Sequence, residues 1–514
     1  MSRKRSTYFA SLLVGTVVAG ALLLSSAALA DPHPVTPPTL PGVAGLPGPI
    51  APAASPAKNL KLLRVEPASG PVGTKFTVSG EGLPANEDFD IVWATSTVRY
   101  VLNPMPDNVE YYGRKIDKVN VVLGKAKTDA AGKLDVALTA PVDYGDVHDI
   151  YAVSDGTQLA KAGFQINRQV SVSPSSGPIG SPITITISGL GSLPYTSTVA
   201  VLYDNHYTGF ISGTTTRGSA QVQIRAAGPV GVKAIEVAPA SAAVPYLDIE
   251  QSAVAFVGKY RTKFRVTADK GLPRNRVDLP GPVEPTETSR TTMTASAAQG
   301  VTASLSRRSG IILTKVGVEA SGLDPNAPVL LQWMTAIGTR ATASGWQLEA
   351  IPLGQATTGA GGSLSTTVQV PDNLGGWHTV RLVQGGKVKA ELPYYVLRSF
   401  VSVSPRTVKE GEVFTIHLKG FGWTELDNTT AVTYDNSYLG YACGFYSRGD
   451  ITMNMVATGG PGTHLIDLYP AIYKGKGSDT WLDQVPLLNF KYDAPGLALG
   501  YRLPAIRLAI KVVP

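Results

Sequence analysis

The residues of this chain that could do chemistry come in duplicate. Tyr203-Asp204-Asn205-x-Tyr207-x-Gly209 returns 231 positions later as Tyr434-Asp435-Asn436-x-Tyr438-x-Gly440. Adjacent Asp and Asn cap tight turns with their own side chains, and a glycine relieves the strand that follows. The motif reads first as a hairpin with packed tyrosines. The alternative is a duplicated ligand or calcium contact through Asp204, Asn205, Asp435 and Asn436. Calcium takes about six to eight oxygens, and two such residues per loop are too few to assign it. Three histidines also share a local pattern: Gly145-x-x-His148, Gly375-x-x-His378 and Gly462-x-His464. A metal would need ligands converging from separate parts of the chain, so recurrence on one late strand argues for structure.

The second half carries tryptophans that the first lacks. Trp346 aligns near Ile116, Trp377 with Val147 and Trp423 with Ser192. Exposed, they could stack on sugar rings; repacking of a core is the other reading. Tyr100, Tyr111 and Tyr112 lie in an insertion of the first half, a second candidate ligand surface because loops on rigid scaffolds often carry recognition. Lys259, Arg261, Lys263 and Arg265 alternate with largely apolar residues, which makes a strand with one cationic face. It suits an anionic polymer, and an edge strand guarded by charge explains it equally well. Trp93 and Trp333 occupy equivalent positions in the two halves and read as core. There is no Gly-x-Ser-x-Gly elbow, P-loop or His-Glu-x-x-His. Hence no catalytic residue, cofactor site or metal site is assigned, and the chain does not read as an enzyme.

These residues sit on a repeat. Between 170–210 and 401–441, 18 of 41 positions match without a gap. Gly82-Leu83, Asn86 and Trp93 recur at 322–333 with an offset of 240, whereas Gly132 to Gly156 recur at 362–386 with an offset of 230. The first half therefore carries about ten extra residues between Trp93 and Gly124. Runs such as Phe76-Thr-Val-Ser and Ile183-Thr-Ile-Thr-Ile alternate apolar with hydroxyl residues, as half-buried strands do. Asp129-Ala-Ala-Gly132 and Gly359-Ala-Gly-Gly362 are turn chemistry. The expectation is an all-β chain of four tandem β-sandwich modules in an A-B-A′-B′ duplication: A at 59–168, B at 169–266, A′ at 293–399 and B′ at 400–514 with a C-terminal strand. Residues 267–292 read as a linker that hinges the two pairs. Ile506 to Val513 closes the last sheet or donates a strand to a neighbour.

Ahead of the modules, Arg3-Lys4-Arg5, an apolar run and Ala28-Leu29-Ala30 form a secretory signal over 1–30. Residues 31–58 hold nine prolines and read as an extended spacer. No later segment is apolar enough for a spanning helix. Without 1–30 the formal charge falls from +7 to +4, which does not suggest nucleic acid. Cys443 is the only cysteine, so no intramolecular disulfide holds the modules, and the thiol is either buried or free to couple chains.

Val65-Glu-Pro67-Ala-Ser-Gly-Pro-Val-Gly73, followed by Phe76-Thr-Val-Ser-Gly80-Glu-Gly82-Leu-Pro, resembles the opening of bacterial IPT/TIG-type immunoglobulin-like domains. Pro174 to Gly180 with Gly189-Leu-Gly191 is similar. The third module lacks the Pro-x5-Gly turn, and the fourth keeps only Pro405 and Gly411. The resemblance implies immunoglobulin-like modules in a secreted protein that works in adhesion, surface assembly or spacing. The expected function is non-enzymatic adhesion, or glycan or envelope binding, outside the cell or in the periplasm, with an extracellular polysaccharide or envelope component as partner. The alternative is a self-assembling subunit of a surface layer or filament, jointed by its C-terminal strand. The ligand and oligomeric state are not legible from the sequence.

Overall fold

The computed structural model describes residues 45–104, 109–241, 243–248, 251, 258–280, 294–338, 344–444, 448–473 and 484–514. The signal segment and the first part of the spacer lie outside the described residues, as does 281–292 of the linker.

Alternating side chains dictate the local structure. Along Pro182–Ser188, Ile183, Ile185 and Ile187 are fully buried, while Thr184 and Thr186 turn outward to Gln223 and Gln221 across the sheet. Each isoleucine so buried is worth about 1.5–3 kcal/mol. Among the described residues the strands form four three-stranded and four six-stranded sheets. In the first repeat, Arg64–Glu66, Lys75–Gly80 and Leu134–Thr139 make the small sheet. Asp88–Pro104, Val109–Lys127, Asp146–Ser154 and Thr157–Ile166 make most of the large one. The chain thus crosses between sheets as immunoglobulin-like sandwiches do, with a buried tryptophan, Trp93, on the third main strand. The same pattern recurs in the three later pairs of sheets. The protein is nearly all β, and Pro495–Leu499 is a single turn of 3₁₀ helix closed by Gly500.

The glycines of the Gly-x-x-His pattern mark where consecutive repeats touch. A Cβ on Gly145 would lie 2.1 Å from the Gly189 carbonyl oxygen, and one on Gly375 would lie 1.8 Å from that of Gly420. Gly145 N–H donates to Leu190 O and Gly375 N–H to Phe421 O, at 2.9 and 2.8 Å. Backbone meets backbone here, so any side chain would push the joint apart.

A larger contact joins the two halves. In Ala505–Val513, Ile506, Leu508 and Ile510 point into the core of their own sandwich. Ala505 and Ala509 point the other way, into a core shared with Ile185, Val201, Ile235 and Phe264. The outward face of the fourth repeat's large sheet is therefore packed against the second repeat's core, beside its strand Ala220–Arg225. The C-terminal strand does not donate itself outward: it pairs with Gly462–Pro470 on one edge, and with Arg276–Asp278 and Thr407–Lys409 on the other. A joint made by this strand is thereby corrected, because both of its edges are occupied.

Two segments expected to hang free are docked instead. In the spacer, Val122 N–H donates to Pro49 O and Ala51 N–H to Asn120 O. Proline lacks a donor but keeps its carbonyl, so it is tolerated at such an edge. In the linker, Arg276–Asp278 pairs with the C-terminal strand, and Asp269 accepts from Thr463 N–H at 2.9 Å. That part of the linker is a clasp on the fourth repeat and not a hinge.

Candidate binding groove between the second and fourth repeats

Both copies of Tyr-Asp-Asn-x-Tyr-x-Gly are two-residue hairpin turns. Asp204 and Asn205 have φ of 49° and 65°, and Asp435 and Asn436 have 48° and 64°. Two consecutive left-handed residues match the twist of the flanking strands, and Asp and Asn tolerate the conformation best. The second tyrosines, Tyr207 and Tyr438, meet edge to face at 6.1 Å between rings. Asn436 Nδ2 donates to Arg225 O in the opposite repeat at 2.7 Å. The motif therefore pairs the two halves of the chain. It does not gather calcium ligands, and no group of three or more His, Cys, Asp or Glu side chains able to hold a metal occurs among the described residues.

The two turns face each other across a groove of about 630 Å³. Its lining is quasi-symmetric at the offset of 231: Tyr203 and Tyr434, Asp204 and Asp435, Lys233 and His464. Each aspartate is paired with the cation of its own half. Lys233 Nζ lies 3.0 Å from Asp204 Oδ2, and His464 Nδ1 lies 2.6 Å from Asp435 Oδ2. Burial works against charging His464, but the hydrogen bond and charge of Asp435 more than offset it and lift the imidazole above its ordinary range. Both tyrosine hydroxyls are spent on backbone carbonyls, Ala227 O and Thr458 O. The rim is apolar, with Leu439 and Val456 exposed, and His206 stands open beside it. Ser437 shares the groove, yet His464 Nε2 faces Gly460 O at 2.9 Å, so this His–Asp pair has no hydroxyl in relay. The arrangement offers fixed dipoles and charge pairs between apolar walls, which suits holding a polar ligand.

The tryptophan positions need correction. Trp346 and Trp423 are buried together with Ala336 and Leu374, Trp423 resting on His378 at 5.1 Å. Trp377 is half-buried against Tyr395, its Nε1 donating to Leu499 O at 3.3 Å. None of the three is a stacking platform, because each indole fills a gap beneath a neighbouring segment. The tyrosine insertion is likewise inward. Tyr100 and Tyr111 are buried among Phe210, Leu487 and Tyr501, and Tyr111 N–H donates to Glu425 Oε2 at 2.7 Å. Only Tyr112 of the three is exposed, hydrogen-bonded to Glu110. The period-two run Val98, Tyr100, Leu102 carried the signal of a buried face. Of the basic strand, Arg261, Lys263 and Arg265 are exposed and Lys259 is half-buried. Arg261 and Lys259 both reach Glu236, at 2.6 and 3.8 Å, so the anionic-polymer face is partly neutralised.

The other two histidines of the recurrent pattern are structural. His148 stacks on Trp93 and His378 on Trp333, at 4.4 and 4.6 Å. Each ring bridges two carbonyls, those of Ala94 and Tyr144 for His148 and of Met334 and Leu374 for His378. Burial drives His378 down to about 4, against the pull of its carbonyl partners. Its folded pKa lies below the unfolded value near 6.5, so between those values only the unfolded chain takes up the proton. Stability is therefore expected to fall as pH drops from 6.5 to 4, by about 3 kcal/mol from this group. Melting curves of wild type and His378→Gln across that range should converge toward the acid end; parallel curves would contradict the assignment. Cys443 is half-buried, its Sγ 2.8 Å from Thr429 Oγ1.

The sheets and their connections define an all-β protein of immunoglobulin-like sandwiches. No family model and no curated protein matches this chain. Among solved structures it is similar to the ICAM-5 D1-D4 ectodomain fragment, at 11% identity over 88% of this chain and 99% of that one, with a TM-score of 0.17. A Salmonella alpha-2-macroglobulin reacted with methylamine also aligns at 11% identity and TM-score 0.17, over 87% of this chain, which spans 30% of that one. The D0-D1 domain of intimin aligns over 32% of this chain and 89% of its own, at 13% identity and TM-score 0.13. Scores this low carry no argument about arrangement or function. Among the described residues no helix is long and apolar enough to cross a membrane.

Proposed function

We propose that this chain is a secreted or surface-displayed binding protein without catalytic activity, made of four IPT/TIG-type modules in the order A-B-A′-B′. Its ligand is a polysaccharide segment of the extracellular matrix or cell envelope, held in the groove between B and B′. The observation that carries this reading is the quasi-symmetric groove, in which both copies of the sharpest motif present a paired aspartate beneath an apolar rim. Sugar rings offer an apolar face and a fringe of hydroxyls, which is the complement of such a lining. The signal segment and the lack of nucleophile–base pairs in the sequence support secretion and a non-enzymatic role. The test is retention of the full chain on insoluble polysaccharides and envelope fractions at low and high salt. Retention is expected to survive salt and to fall roughly tenfold in His206→Ala/Leu439→Ser, both exposed positions, with melting unchanged. Unaltered retention in that variant, or none in wild type, would overturn the proposal.

A further inference from the structure

Three of the four repeats set a histidine ring against the backbone four residues before it. His148 Nε2 meets Tyr144 O, His378 Nε2 meets Leu374 O and His464 Nε2 meets Gly460 O, at 2.8, 2.8 and 2.9 Å. The other ring nitrogen separates them. Nδ1 of His148 and of His378 bonds a carbonyl, that of Ala94 or Met334, and Asp143, 3.9 Å from His148, is held by Arg217. Nδ1 of His464 bonds the carboxylate of Asp435 instead. The second repeat has Lys233 at the matching position, 231 residues earlier, with its Nζ on Asp204. A permanent cation in one half of the groove thus corresponds to a titratable one in the other.

The two aspartates are spent within the protein. Asp204 Oδ1 accepts Ala234 N–H at 2.8 Å and Asp435 Oδ1 accepts Leu465 N–H at 2.9 Å, while their other oxygens take Lys233 and His464. Charged His464 spends both of its protons. Lys233 has three N–H donors, and Asp204 is its only acidic partner among the described residues. The groove is left with donors to give, from Lys233 and from the exposed His206. Burial opposes charge on His464, and the Asp435 carboxylate, the Gly460 carbonyl and the more distant Asp269 overcome it. Behind the ring, Asp269 accepts Thr463 N–H, and Lys511 lies opposite Thr463 on the next strand. Glu410 accepts Gly460 N–H at 3.0 Å. Tyr434 stacks on the ring at 5.4 Å, and burial pushes its hydroxyl up to about 12, so it stays neutral while the imidazole titrates.

We propose that the polymer held in this groove is an acidic polysaccharide whose anionic groups sit on Lys233, and that His464 limits the pH at which it is held. The inference rests on the groove being the binding site. While His464 is protonated, the two aspartates and two cations balance. As pH rises through its titration, Asp435 loses its counter-charge and the four groups become net negative against an anionic ligand. Lys233 and His464 are largely buried, so salt screens the effect little. The sign follows from a folded pKa raised above the unfolded value near 6.5. The charged pair stabilises the fold below about 6.5, and that contribution is lost as pH rises through the folded value. A bound anion must in turn hold the proton on His464 more tightly.

The test reads anisotropy of fluorescent polygalacturonate, its methyl ester and dextran sulfate with the full chain. Polygalacturonate is expected to bind at about pH 6 and to weaken roughly tenfold by about pH 9. The uncharged ester should bind weakly and without pH dependence, and dextran sulfate separates a sulfated ligand from a carboxylated one. Ring NMR signals of His464, assigned by their loss in His464→Gln, should titrate over the same span and move to higher pH in the complex. His464→Gln should bind at the alkaline level of wild type throughout, whereas His464→Lys should stay bound at about pH 9. His206→Gln should weaken binding without moving the midpoint. If a His464 variant fails to fold, the wild-type profile and the ester decide. An ester as tight as the acid, or a profile that ignores the His464 titration, would overturn the inference. Retention on neutral polymers alone would overturn it and leave the groove as the binding site; retention on nothing would overturn both.

Discussion

Asp493→Ala is expected to cost about 3–5 kcal/mol of stability and to release the long first-repeat hairpin from the body. Asp493 is fully buried, and its two carboxylate oxygens accept from five donors. Oδ2 takes Thr214 N–H at 2.6 Å and Ser212 Oγ at 2.7 Å. Oδ1 takes Thr215 N–H and Oγ1 at 3.1 and 2.8 Å, and Tyr100 Oη at 3.1 Å. One side chain from the fourth repeat thus ties a turn of the second repeat to the tip region of the first. Each hydrogen bond to an ionised group is worth about 1.5–3 kcal/mol, and a buried donor left bare costs about 1–3 more. The total is capped because Thr215 is exposed and regains water, and because Thr214 N–H retains Ser212 Oγ at 3.3 Å. Asp493→Asn keeps one acceptor but turns an amide donor toward other donors, so about 2 kcal/mol is expected there. The check is the calorimetric midpoint together with hydrogen exchange at Tyr100 and Leu102. A loss below about 1 kcal/mol in Asp493→Ala would mean that the apolar contacts among Tyr100, Leu102, Phe210 and Leu487 hold the join unaided.

That junction also shows what a sequence can and cannot convey. The duplication was legible, and with it the equivalence of the two hairpin turns, whose backbone angles agree within a degree or so. Trp93 and Trp333 were legible as core because they recur on strands of one period. The packing of the fourth repeat's large sheet on the second repeat was not. A strand with isoleucines on one face and Ala505, Arg507 and Ala509 on the other reads as half-exposed, since alanine is small enough to suit either environment. Arg507 is nonetheless buried, because Asp467 and Asp278 on the flanking strands of its own sheet supply counter-charges and the second repeat covers that face. Trp346 and Trp423 misled for a related reason: the aromatic type announces a large contact area and says nothing about whether the partner is a ligand or another turn of the chain. The groove itself is composed from residues 231 apart, and only the packing of the fourth repeat on the second brings them together.

Asp467→Ala is the second large effect, expected to cost about 3–5 kcal/mol. Asp467 lies between two buried arginines at the contact of the second and fourth repeats. Arg225 Nη2 is 2.7 Å from its Oδ1 and Arg225 Nε donates to its Oδ2 at 3.2 Å, while Arg507 Nη1 lies 3.4 Å from Oδ1. Burial opposes charge on Arg507, but Tyr469, Asp467 and Asp278 around it more than reverse this and raise its pKa. Removing Asp467 leaves Arg507 with Asp278, and leaves Arg225 only the carbonyls of Ile466 and Leu508. A guanidinium stripped of its carboxylate in that setting is what makes half-removal so costly. The triple change Arg225→Met/Asp467→Leu/Arg507→Met should behave oppositely, because it also removes the desolvation penalty of three charges. Its expected stability is equal to wild type or higher by about 1–4 kcal/mol. Denaturant melts of the two variants therefore separate the worth of the triad from the cost of breaking it. A triple variant as damaged as Asp467→Ala would show that hydrogen bonds to the strand carbonyls, and not the ion pairs, lock the two repeats. If the triple variant melts high but loses ligand retention, the triad sets the register of the two hairpins across the groove, since Asn436 docks on the carbonyl of the same Arg225.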